Sequence, residues 1–278
     1  MTALLQISDP HFGTERPAVA AALLRLAREQ SPAVVVLSGD ITQRATHAQF
    51  DAARRFVDGL GPVPLLAIPG NHDIPLFDLA TRVMRPYARY RRAFGDVLEP
   101  VHESEHWMVV ALNTTRPWRH KDGEVSKEQV ERAASRFARA TPAQLRIAVT
   151  HQPVGVTRPE DEVNLLHGHA AAVRRWAQAG ADLVLGGHIH LPFVVPMHER
   201  CRDLGRPLWV VQAGTAMSTR LRHEAGNSVN IVRRMHAAGE AHRRCVVERW
   251  DYAEAKGEFE PVQIHKLVLG SHADAPGP

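Results

Sequence analysis

Short apolar runs and amphipathic stretches alternate through the first two-thirds of the chain. The run ALLQIS (Ala3 to Ser8) reads as a strand. AVVVLSGD (Ala33 to Asp40) is valine-rich and continuously apolar, the mark of a strand buried on both faces. VPLLAIPGNHD (Val63 to Asp73) is a third strand that ends in a Pro-Gly turn, and HWMVVALNT (His106 to Thr114), LRIAVTH (Leu145 to His151) and ADLVLGGH (Ala181 to His188) continue the series. Between the strands, apolar residues recur at helical spacing over Pro17 to Gln30, where Pro17 suits a first turn. Further helices are predicted over Thr46 to Leu60 with Thr46 as N-cap, over Thr81 to Phe94 with Pro86 as a point of interruption, over Ser126 to Ala140 with Ser126 as N-cap, and over Gly168 to Ala179.

Beyond Pro192 the pattern changes. FVVPM, PLWVVQAG, SVNIVRRM, RRCVVERW and PVQIHKLVL are short strands with little helix between them, which predicts a sheet closed by a meander. No internal repeat or linker is evident. The expectation is one α/β domain over residues 1–270, two packed sheets with helices outside, and a disordered tail over 271–278.

Composition narrows the class. At 278 residues and 44% hydrophobic content the chain can bury a sizeable core. No apolar run approaches the roughly 18 residues of a membrane span. The start, MTALLQISDPHFG, has no basic segment and no small-residue cleavage site, and two cysteines, Cys201 and Cys245, are too few for a disulfide framework. Both features lead to the expectation of a cytoplasmic protein with buried thiols. The net charge of +4 permits anionic substrates. The arginines are spread along the chain, so nucleic acid is not the expected partner.

The 17 histidines change the picture more, because several fall where strands end. The first strand ends in Asp9 and His11, the second in Asp40, and the third in Asn71, His72 and Asp73. The strand at Leu145 ends in His151, and the last buried strand ends in His188 and His190. Parallel strands bring their C-terminal ends to one edge, where α/β proteins place their sites. Glycines 39, 70, 186 and 187 would let the backbone turn sharply there. Oxygen and imidazole donors without thiolate suit Mn, Fe, Zn, Co or Ni, and seven such groups exceed the needs of one tetrahedral ion.

These blocks resemble the calcineurin-like metallophosphoesterases. DPH (Asp9, His11), GD (Gly39, Asp40), GNHD (Gly70 to Asp73), THQP (His151) and GHIH (Gly187 to His190) stand in the family's order, and the likeness runs over about residues 3 to 235. The late segment VVQAGTAMSTRLRHEAGNSVNIV is similar to that of the class III cyclic-nucleotide phosphodiesterase branch. The resemblance implies a four-layer αββα sandwich of two mixed sheets with the site at the strand C-terminal edge. It implies two divalent metal ions (Mn, Fe, Zn or Co), the first held by Asp9, His11, Asp40 and His190 and the second by Asp40, Asn71, His151 and His188. His72 would act at the leaving oxygen, with Asp73 orienting it. The implied chemistry is hydrolysis of a small phosphodiester such as a cyclic nucleotide through a metal-bridging hydroxide. A phosphomonoesterase, or a hydrolase of glycerophosphodiesters, lipids or nucleic acid, uses the same ligand set, and some relatives are scaffolds that have lost ligands. Homodimers occur among similar enzymes.

Substrate contacts are sought in the loops at the same edge. Arg116 and His120 lie in NTTRPWRHKDGE, Asn164, His167 and His169 in NLLHGHAAAVRRW, and Arg220, Arg222 and His223 in STRLRHE. Each segment also has a plain reading, as a solvated charge run or the start of a helix. Arg116, His120, Asn164, His169 and Arg220 are the candidates carried forward.

Overall fold

The computed structural model describes residues 2–222, 225–235 and 243–270. In chain order the first half contains β1 (Ala3–Ile7), α1 (Pro17–Gln30), β2 (Val34–Ser38), α2 (His47–Asp58), β3 (Leu65–Ile68), α3 (Leu79–Met84), α4 (Ala88–Phe94), β4 (Val101–Glu103), β5 (Trp107–Ala111) and α5 (Lys127–Arg139). The second half contains β6 (Leu145–Val149), α6 (His169–Gln178), β7 (Leu183–Gly186), β8 (Phe193–Pro196), α7 (Met197–Arg200), β9 (Trp209–Gln212), β10 (Ser228–Met235), β11 (Arg244–Ala253) and β12 (Glu258–Val268). His223 and the tail 271–278 lie outside the described residues.

The strands form two six-stranded sheets, ordered β12-β11-β10-β1-β2-β3 and β4-β5-β6-β7-β9-β8. β1, β2 and β3 are parallel, as are β5, β6, β7 and β9; the outer strands run antiparallel, so both sheets are mixed.

Side chains along β1 and β2 sort by the period of two. Leu5, Ile7, Val35 and Leu37 face α1, α2 and α4, where Leu23, Phe50 and Phe56 complete one core. Leu4, Val34 and Val36 point the other way, onto Trp107, Ile147, Leu183 and Val211 of the second sheet. The outer face of that sheet meets α5 and α6 through Val110, Ala148, Val184, Phe137 and Trp176. Three separate cores define four layers, helix, sheet, sheet and helix. Polar links also fasten the sheets to each other. Gln6 Nε2 donates to Gly186 O at 3.0 Å, and the buried Asp182 accepts from Arg243 Nη1 at 2.9 Å.

Local signals place the helices. Thr46 Oγ1 accepts from Gln49 N, and Ser126 forms a reciprocal capping box with Gln129. Pro86 splits the predicted Thr81–Phe94 helix into α3 and α4, because a proline N cannot donate and its ring blocks the preceding turn. The single closing meander is corrected. Among the described residues only β10, β11 and β12 form one, on the first sheet, while β8 and β9 join the second. Strand propensity does not specify which sheet a strand joins. The short, largely exposed β4 carries no run long enough to be read from sequence.

Candidate metal centre

The parallel strands from both sheets end at one edge, and their first loop residues turn inward together. Asp9 and His11 follow β1, Asp40 follows β2, Asn71 follows β3, His151 follows β6, and His188 and His190 follow β7. Asp9, His11, Asp40, His188 and His190 all hold positive φ, between 45° and 73°. Each such non-glycine residue carries strain on the order of 1–3 kcal/mol, and strain of this kind gathers at functional sites. Gly39 precedes Asp40 at φ +95°, and a Cβ there would strike the His151 ring. At Gly70 the reason for glycine is close approach: a Cβ would collide with the backbone and carboxylate of Asp40.

The ligand atoms fall into overlapping groups. Asp9, His11 and His190 offer atoms within 4.8 Å of one another, as do Asp40, His151 and His188. Asp40 spans both: Oδ1 lies 3.2 Å from His151 Nε2, and Oδ2 lies 3.7 Å from His11 Nε2. Asn71 Oδ1 lies 3.2 Å from the same His151 nitrogen. His190 Nε2 lies 3.3 Å from Asp9 Oδ1 and 3.0 Å from His11 Nε2. The cluster is held from behind. His188 N and Ser8 Oγ donate to the Asp9 carboxylate, and Thr215 Oγ1 donates to the Asp9 carbonyl.

Divalent ions fit this donor set. His151 Nδ1 faces Ser38 O at 3.0 Å and His190 Nδ1 faces Arg220 O at 2.7 Å, so each carries its proton there. With Nδ1 protonated, loss of the Nε2 proton leaves each ring a lone pair aimed at the carboxylate and amide oxygens of the cluster, the form in which a cation can be held between them. His11 Nδ1 and His188 Nδ1 are buried without a hydrogen-bond partner. Burial lowers the His11 and His188 imidazoles to about 3, which leaves both neutral and able to ligate. Burial works against charge on His151 too, but the Asp40 carboxylate overrides it and raises the imidazole to about 9. Burial likewise opposes Asp9, and the positive charge of His190 brings it down to about 2. A cation thus finds both carboxylates ionised.

His72 sits at the margin, its N–H donating to Asp40 Oδ1 at 2.8 Å. Its ring departs from the expected pairing with Asp73. Nδ1 faces the Gln43 carbonyl at 2.9 Å, and Nε2 lies 3.0 Å from Arg220 Nη1. The Asp73 carboxylate accepts instead from Ile41 N, Thr42 N, Thr42 Oγ1 and Gly70 N, clasping the two loops that carry Asp40 and Asn71. Burial, then the nearby Asp40 charge, raise the Asp73 carboxyl to about 7. Gln43, absent from the sequence candidates, holds His72 through its carbonyl and Arg220 Nη1 through Oε1 at 3.0 Å. Its only sequence signal was its place in the Asp40 loop.

The loop candidates divide. Arg220 reaches His72, and His120 lines a cavity with Asn71 and His72. Arg116 turns away, donating to the carbonyls of Asn113 and Thr115 and to Gln129 Oε1, so it braces its loop against α5. His169 Nδ1 lies 2.8 Å from Leu166 O at the start of α6, a local helix-start contact. Asn164 ends a short 3₁₀ turn, and among the described residues no contact joins it to the ligand cluster. Arg222 donates to Asp161 Oδ1 and Ile189 O, bracing the His188–His190 loop rather than facing the ligands.

Comparison with known proteins agrees with this geometry. The calcineurin-like phosphoesterase model matches residues 2–192. A Synechococcus protein named a "probable cyclic nucleotide phosphodiesterase" is 29% identical over 204 residues, 69% of this chain and 74% of that protein. Among solved structures, the purple acid phosphatase PPD1 of yellow lupin superposes with a TM-score of 0.69 at 12% identity, over 98% of this chain and 54% of that one. The chain therefore spans about half of the lupin protein's length. A dimetal phosphatase from Danio rerio gives a TM-score of 0.61 at 14% identity, over 97% of this chain and 99% of that one. At such identities the two structures speak to the fold alone.

Proposed function

The chain belongs to the calcineurin-like phosphoesterase family, and from that premise we propose that it is a phosphodiesterase acting on a small phosphodiester, a cyclic nucleotide foremost. The observation that carries the reading is the Asp40 carboxylate, with one oxygen toward His151 and the other toward His11. A group so placed suits a pair of ions rather than one. The diester preference is supported by the similarity to the Synechococcus protein. The full set of candidate ligands, with His72 beside them, favours an enzyme over a scaffold.

Asp9, His11, Asp40 and His190 would hold one divalent ion, and Asp40, Asn71, His151 and His188 the other. Bound there, such ions supply activation of water and charge neutralisation at phosphoryl oxygens. The rest falls to the chain itself. The Ser38 and Arg220 carbonyls fix the His151 and His190 tautomers, so each ring keeps one nitrogen aimed at the cluster. His72 is held by Gln43 with Nε2 at the rim. As the ester enters, His72 exchanges its Arg220 contact for the leaving oxygen and, when protonated, gives up its Nε2 proton there. Arg220 then donates to the phosphoryl oxygens.

No helix among the described residues is long and apolar enough to cross a membrane. We place the protein in the cytoplasm, a reading supported by two cysteines that stay unpaired.

The deciding experiment compares bis(p-nitrophenyl) phosphate with p-nitrophenyl phosphate on metal-stripped protein reloaded with Mn²⁺, with metal content counted in the same sample. Two ions and a strong diester preference are expected. A monoester preference would overturn the diesterase reading in favour of a phosphomonoesterase.

A further inference from the structure

A cavity of about 80 Å³ opens beside His72 and Asn71, at the margin of the ligand cluster. Gln43, Arg44, Asn71, His72, Arg82 and His120 line it, and none of its lining residues is acidic. The Arg82 guanidinium lies against the carbonyls of Pro75 and Arg119, which anchor it without neutralising it. The Arg44 guanidinium lies 5.4 Å from the centre of the Phe77 ring, a contact that also preserves its charge. Among the described residues neither arginine is ion-paired with a carboxylate, although many arginines elsewhere on the molecule are. Two guanidinium groups without a carboxylate partner, lining one small cavity that has no acid in its wall, favour an anion there.

The scissile phosphate does not account for this charge. It must meet the convergent atoms of Asp40, His151, His11 and His190, and Arg220 already stands at that face of His72. Among the described residues, Arg44, Arg82 and His120 have no hydrogen bond or ion pair with those atoms. At about 80 Å³ the cavity has room for a phosphate group.

Building on the phosphodiesterase reading, we infer that this cavity is a second anion subsite and that the preferred substrate is a phosphodiester carrying a further phosphate away from the scissile bond. The inference narrows the cyclic-nucleotide reading: a cyclic dinucleotide or a phosphorylated nucleotide diester meets the requirement, and an unsubstituted cyclic mononucleotide does not. Guanidinium pairs bind phosphate with two parallel hydrogen bonds, so removing one arginine should remove roughly a tenfold preference.

The test uses the Mn²⁺-loaded enzyme and two chromogenic diesters, thymidine 5′-(p-nitrophenyl phosphate) with and without a 3′-phosphate. The wild type should show a kcat/KM about tenfold or more higher for the 3′-phosphorylated ester, and R44Q and R82Q should each bring the ratio toward one. Calorimetry with thymidine 3′,5′-bisphosphate against thymidine 5′-phosphate makes the same comparison without turnover. Equal kcat/KM or equal binding in the wild type, or a preference that survives both substitutions, would overturn the subsite. Failure to hydrolyse bis(p-nitrophenyl) phosphate while the bisphosphate still binds more tightly would defeat the diesterase reading instead, so the two failures are distinguishable.

Discussion

Asp40 sits where strain, burial and charge meet. Its φ of 46° is uncommon for an aspartate, it is almost fully buried, and its two oxygens serve different histidines. The Asp40→Ala protein should lose both ions, measured as metal per protein, and at least roughly 10²–10³-fold in turnover. The proton on His151 sets a pH dependence. Its imidazole, raised to about 9 in the metal-free protein, binds a proton below that pH, and an incoming ion must displace it. Metal affinity should therefore rise with pH up to about 9 and flatten above, and calorimetry in buffers of different ionisation enthalpy should read the released proton. At His72 the expectation concerns the leaving group. His72→Ala should retain its metal and lose roughly 10²–10⁴-fold on alkyl diesters, with a much smaller loss on nitrophenyl esters whose leaving oxygen needs no proton. Equal losses on both would count against that role.

Helices α5 and α2 show how element ends are built from a few side chains. Ser126 and Gln129 satisfy each other's backbone N–H groups at the start of α5, and Gln129 Nε2 also reaches the Asn113 carbonyl at 2.8 Å. Ser126→Ala should lower the unfolding free energy by about 1 kcal/mol in urea titration without changing metal content, because the cap lies away from the ligand cluster. The same logic made Thr46 and Ser126 legible beforehand: a hydroxyl ahead of an amphipathic run accepts from its first turn whatever the tertiary context. The sequence pattern reads helix α3 only as the first part of the Thr81–Phe94 helix and misses its Asp78 cap. Its Leu79, Val83 and Met84 are exposed, so no apolar stripe marked a buried face, and Arg82, which lines the cavity beside His72, carried no local signal.

Across the whole molecule, the layer between the two sheets is closed to solvent. Cys245 lies in it, on β11 beside Val247 and Leu267, and burial pushes its thiol far above the usual range. Cys201 follows α7 and is only half-buried, which corrects the expectation that both thiols are buried. Native protein at pH 8 should release one equivalent of chromophore from a disulfide thiol reagent, and a second only in denaturant. Prompt reaction of both thiols would show that the inter-sheet layer opens locally.

The strand ends, the order of the ligand blocks and the helix caps were all written in short stretches of sequence, because each depends on neighbours within a few residues. That is why Asp9, His11, Asp40, Asn71, His151, His188 and His190 could be proposed together before any coordinates. What lies across space was decided only by the fold. Gln43 rather than Asp73 holds the His72 ring, Arg116 turns to α5, and Arg44, Arg82 and His120 meet around one cavity. Those pairings join residues far apart in the chain or choose between near-equal hydrogen-bond acceptors. The choice is made by where the packed sheets bring the loops, which no local pattern encodes.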